Sequence, residues 1–70
     1  MDDHLSWENT YPIALALAKA HPGVELEDVS LNMILEWTVA LPDFHDDPLM
    51  VNDDILTAIL QEWFEEVNPI

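Results

Sequence analysis

The 70 residues carry fifteen acids against a single base, Lys19, and no cysteine, for a formal net charge of −14. That balance excludes binding to nucleic-acid phosphates, which needs Lys and Arg to displace counterions, and it excludes adsorption to anionic membranes. The missing cysteine excludes a disulfide framework, a thiolate metal site and a cysteine nucleophile. A chain this short makes one domain and buries only about 60% of its unfolded surface. Its 50% hydrophobic content and three Trp make a single core feasible.

Residues 1–6 are expected to be a flexible acidic lead-in, with the domain spanning 7–67 and a tail at 68–70. The opening MDDHLSWEN has no basic region followed by an apolar run, so no signal peptide is expected. No apolar segment reaches the roughly 20 residues that span a bilayer. A cytoplasmic monomer is the expectation.

In chain order, Asn9 or Thr10 caps a first helix that carries Pro12 in its first turn, where proline is tolerated. Ile13, Ala16, Leu17 and Ala20 form its buried side, and His21-Pro22-Gly23 ends it. Val24 to Asp28 reads as a connector, and Val29-Ser30-Leu31 as a brief extended piece. Asn32 is expected to cap a second helix, Met33 to Leu41, which is apolar nearly all round and closed by Pro42. The longest helix follows. Asn52 caps it, Asp53 and Asp54 complement the dipole of its first turn, and Ile55, Leu56, Ile59, Leu60, Trp63, Phe64 and Val67 form one broad apolar stripe. Three helices with short connections predict a mainly α, compact three-helix domain of helix-turn-helix or winged type.

Between the second and third helices lies the acidic loop Asp43-Phe44-His45-Asp46-Asp47-Pro48. Its aspartates suit a cation site, a docking patch, or simply the capping of turns ahead of a proline. Phe44 is expected to pack the loop onto the core, and Trp7, Trp37 and Trp63 to lie in or near that core. His4 and His21 read as surface residues. Catalysis has no support: there is no nucleophile with a matching base, and the single glycine cannot build a phosphate-cradling loop.

The chain resembles the IscX family, the small acidic proteins of bacterial iron–sulfur cluster assembly. The resemblance runs from Trp7 to about Glu66. It is carried by Trp7, Ile13, Leu17, Ala20, Pro22, Val29, Trp37, Leu41, the loop Asp43-Phe44 and Asp46-Asp47-Pro48, then Asn52, Ile55-Leu56, Ala58-Ile59-Leu60 and Trp63. It implies a modified winged-helix fold, an acidic surface that binds the cysteine desulfurase in competition with frataxin, weak and exchangeable binding of Fe²⁺, and a role in setting the rate of cluster formation. Leu15 and Lys19 stand where the family tends to carry acids on the first helix, and His45 where it usually has a third consecutive loop acid.

The candidate metal ligands are therefore Asp43, His45, Asp46 and Asp47, since an imidazole among carboxylates favours ferrous iron over harder ions. The candidate docking residues are Asp43, Asp46, Asp47, Asp53, Asp54, Glu62, Glu65 and Glu66. An acidic DNA mimic that inhibits a basic protein is the alternative reading.

Overall fold

A computed structural model describes residues 5–68. Three α-helices make the domain: α1 over Thr10–Ala20, α2 over Leu31–Val39 and α3 over Asp53–Val67. Short 3₁₀ turns at Leu26–Asp28 and Pro48–Met50 sit in the two connections. The described residues contain no strand; an isolated parallel bridge joins Leu5 to Phe44. The radius of gyration is 11.2 Å, close to the roughly 11 Å expected for a folded chain of this length.

The third helix is the spine. Its Asn52 cap accepts the Ile55 N–H at 2.9 Å through the side-chain oxygen, as its sequence predicts, and Asp53 and Asp54 occupy the first turn. Leu56, Ile59 and Trp63 are buried, with Trp63 and Ile59 almost wholly so, against Ile13, Ala14 and Leu17 of α1 and Ile34 of α2. The seven-residue apolar stripe is thus only partly a core stripe: Phe64 and Val67 are exposed, and Ile55 and Leu60 half-buried. A 70-residue bundle offers α3 just two neighbouring helices, which is too little surface to cover so wide a face.

The first helix starts and ends where expected, but Asn9 holds its N-terminus differently. Its side-chain oxygen turns back to accept both the backbone N–H and the hydroxyl of Ser6 at 3.0 Å, and no side-chain bond reaches the helix. Ala14 is buried in place of the expected Ala20, which is exposed.

The second helix departs from its expected limits. It begins at Leu31 rather than Met33 and ends at Val39 rather than Leu41. Ser30 is the cap, its hydroxyl accepting the Met33 N–H at 3.1 Å, while the Asn32 amide donates to Glu36 Oε2 at 2.8 Å one turn on. Both residues are good caps, and the one two positions earlier satisfies the free N–H with the shorter side chain. Val29 and Ser30 are extended, but only as the approach to the helix. Thr38, a polar residue on this largely apolar helix, is fully buried with its hydroxyl unpartnered.

Leu5 pairs through its backbone with the acidic loop. The Leu5 N–H donates to the Asp43 carbonyl at 2.6 Å, and the Leu5 carbonyl accepts the His45 N–H at 2.9 Å. Residues 1–4, including His4, and residues 69–70 lie outside the described residues.

Ser30→Ala should lower stability by about 1 kcal/mol, whereas Asn32→Ala removes only an exposed side-chain pair and should cost about 0.3 kcal/mol. Urea denaturation of the two variants distinguishes the caps. Equal losses would place the start of α2 at Asn32.

Candidate functional site

The acidic loop is a built structure rather than a free strand of carboxylates. Asp46 accepts the Trp7 backbone N–H at 3.0 Å through Oδ2 and the Asp47 N–H at 2.7 Å through Oδ1. The Asp47 carboxylate accepts the Leu49 N–H at 2.9 Å and caps the 3₁₀ turn. The Asp47 carbonyl accepts the Trp7 indole N–H at 2.8 Å and the Met50 N–H at 3.0 Å. Phe44 is buried with its ring 4.6 Å from that of Trp7, edge to face, so it does pack the loop onto the core.

The backbone N–H groups of Trp7 and then of Asp47 hold the Asp46 carboxyl below its ordinary value of 3.8. These bonds favour the ionised form, so the charge of Asp46 serves the loop as well as the surface. Asp43 and His45 are exposed on either side of Phe44. The four expected metal ligands therefore follow one another along the loop without closing on a point. Among the described residues, no three His, Cys, Asp or Glu side chains are placed to hold one ion. A preformed metal site does not fit this arrangement.

The eight expected docking carboxylates divide into two groups. Asp43, Asp46, Asp47, Asp53 and Asp54 lie around the loop and the start of α3, all exposed. Glu62, Glu65 and Glu66 lie further along that helix, roughly 12 to 20 Å away by its rise per residue. That exceeds the Debye length of about 8 Å at physiological ionic strength, so the two groups act as separate patches. Glu62 is half-buried, with Oε2 turned inside and unpartnered. Glu66 Oε2 accepts the Tyr11 hydroxyl at 3.2 Å, and that bond together with the Glu66 charge raises the Tyr11 pKa.

Over this geometry, comparison with known proteins decides the family. The model of the family described as "Iron-sulphur cluster assembly" matches residues 5–68. The chain belongs to the IscX family. It is 36% identical over 62 residues to the uncharacterized protein PA3808 of Pseudomonas aeruginosa, an alignment covering 89% of this chain and 94% of that one. Membership places it in iron–sulfur cluster assembly, in a family of accessory rather than catalytic proteins. Among the described residues no helix is long and apolar enough to cross a membrane.

Some residues of this surface are invisible to pattern reading. Trp7 is the fastener of the loop, and only its position ahead of the first helix hinted at more than core packing. Leu49 and Met50 are strongly exposed in the middle of the acids; an apolar pair next to Pro48 was the available signal. His21, expected at the surface, is half-buried and stacked on Trp37 at 4.0 Å with an interplanar angle of 19°.

Asp46→Asn should destabilise the domain, because an amide replaces one of two accepting oxygens with a donor facing a donor. Asp47→Asn should be nearly neutral, since one amide oxygen still caps the turn. A depressed carboxyl adds stability above its ordinary value and loses it as pH falls through the folded value, so the difference between native and Asp46→Asn should shrink as pH falls through the ordinary value of 3.8 and below it. Thermal melts across that range test the assignment. A pH-independent difference would mean that the charge of Asp46 contributes nothing to the loop.

Proposed function

We propose that this protein is a non-catalytic accessory factor that docks through its carboxylates on a basic surface of the cysteine desulfurase and adjusts the rate of cluster assembly. The observation that carries this reading is the placement of acids where folding does not need them. Asp53 and Asp54 stabilise the start of α3, but Glu65 and Glu66 stand at its C-terminal end, against the dipole, with no basic residue in the last turn. Their negative charge costs stability, which is expected of groups retained for a partner. Membership in the assembly family favours this role over DNA mimicry. A net charge of −14 opposes self-association, so the protein acts as a cytoplasmic monomer, competing with frataxin for the same basic surface.

Affinity for the desulfurase should fall about tenfold or more between about 50 mM and about 300 mM salt, as the Debye length contracts. Calorimetric titration across that range measures it. A flat response would assign the contact to apolar surface and end the electrostatic reading.

Iron, on this reading, visits the loop weakly and exchangeably, with water completing its shell, because Asp46 is committed to backbone N–H groups and the described residues form no ligand cage. His45 supplies the loop's imidazole and with it any preference for Fe²⁺ over Mg²⁺. In an anaerobic titration followed by NMR, shifts at residues 43–47 should be in fast exchange, and His45→Ala should bind both ions alike. An undiminished Fe²⁺ preference in that variant would remove His45 from the site.

A further inference from the structure

Beside the acidic loop the surface carries a feature that charge alone does not employ. Leu49 is 88% exposed and Met50 68%, the highest values among the large hydrophobic side chains of the described residues. They are not on a loose segment. The Leu49 and Met50 N–H groups are both bonded to Asp47, whose carbonyl also takes the Trp7 indole N–H. An apolar pair held in water on a fixed turn marks a contact surface.

Next to this turn opens a hollow lined by Trp7, Glu8, Thr10, Asp46, Met50 and Ile55. Three of these are apolar and two are carboxylates, and Asp46 is fixed by its two backbone donors. No base lines it. The chain's single Lys19 borders a different hollow, with Leu5, Pro12, Leu15, Ala16 and Asp43.

We propose that this hollow receives one long basic side chain of the partner, an arginine or lysine. Its aliphatic stem lies across Met50 and Ile55, and its cationic head sits between Glu8 and Asp46. Leu49 meets apolar surface next to that side chain. Such a residue is apolar along its stem and charged at its tip, which matches the mixture of apolar and acidic groups that line the hollow. A second copy of this chain does not qualify, because it brings one base and a net charge of −14 against another −14. The inference rests on the docking reading and adds to it the point at which a basic partner is gripped rather than merely attracted.

The test uses the full chain with purified cysteine desulfurase, following the Trp7 indole N–H by NMR and the affinity by calorimetry at low and moderate salt. The native indole signal should shift on binding. Met50→Ser should weaken binding about tenfold with an unchanged salt dependence, as expected for a central apolar contact. Glu8→Gln should weaken it about threefold and make the salt dependence shallower. Glu65→Gln, at the far end of α3, should leave the indole shift intact. Met50 and Glu8 are exposed, and a native-like spectrum of each variant verifies that the fold is kept. If the native chain binds while the indole signal stays still and both variants bind within about twofold of it, the hollow is not the grip and the docking reading survives. If the native chain does not bind at low salt, both fall together. Spermidine alone reproducing the indole shift at similar affinity would show a general polycation site and overturn the assignment to a partner side chain.

Discussion

Trp7 is the interaction on which this small domain depends. Its backbone N–H reaches Asp46, 39 residues away, and its indole N–H reaches the Asp47 carbonyl, 40 residues away. Its ring meets Phe44 edge to face. The indole is 3% exposed, and so is buried together with a satisfied donor. Closing a loop of that length has an entropic cost that grows only slowly with its size. Two hydrogen bonds and an aromatic contact at a single residue are therefore an efficient way to hold it shut. Because α1 begins a few residues after Trp7 and α3 a few residues after Asp47, the same closure sets where both helices enter the core.

How much of this was legible depended on whether the deciding interaction was local. The third helix was readable because Asn52, Asp53, Asp54 and the apolar spacing lie within a few positions of one another. The start of α2 was not, since Ser30 and Asn32 are equally good caps on sequence and only the geometry shows Asn32 turned to Glu36. Phe44 and the three tryptophans could be assigned to the core or its margin from size and hydrophobicity. The partners of Asp46 could not, because its two donors come from Trp7 and Asp47, and the former is distant in sequence. An aspartate bound to a remote backbone N–H looks, in sequence, the same as one that awaits a metal. The stacking of His21 on Trp37 escaped for the same reason.

The distribution of charge separates what the fold uses from what it tolerates. Asp46, Asp47 and Asn52 each satisfy backbone donors, and Asp53 and Asp54 sit at the favourable end of a helix dipole. Removing the Asp46 carboxylate would disturb the structure as well as the surface charge. Glu65 and Glu66 have no such employment beyond the bond between Glu66 and Tyr11. With one lysine in the chain, no ion-pair network can offset their repulsion. The acidic surface is therefore not one uniform patch. One end is rigid and doubles as architecture, and the other is a helix terminus whose charge works against the helix that carries it.

That asymmetry bears on specificity. A field of carboxylates raises the rate of encounter with any basic surface and discriminates poorly among them, because Coulomb attraction varies gently with position. Discrimination needs short-range features whose energy changes over an ångström or two, and those require a rigid frame. The loop end of the molecule has such a frame, since Trp7, Asp46 and Asp47 fix the turn that presents Leu49 and Met50. At the far end of α3 the buried Trp63 anchors the helix from its inner side, while the exposed carboxylates are held only by the Tyr11–Glu66 bond among the described residues. For the docking proposed above, the consequence is a division of labour along one helix: both ends would attract a basic partner, and the end tied to Trp7 has the fixed shape needed to select it.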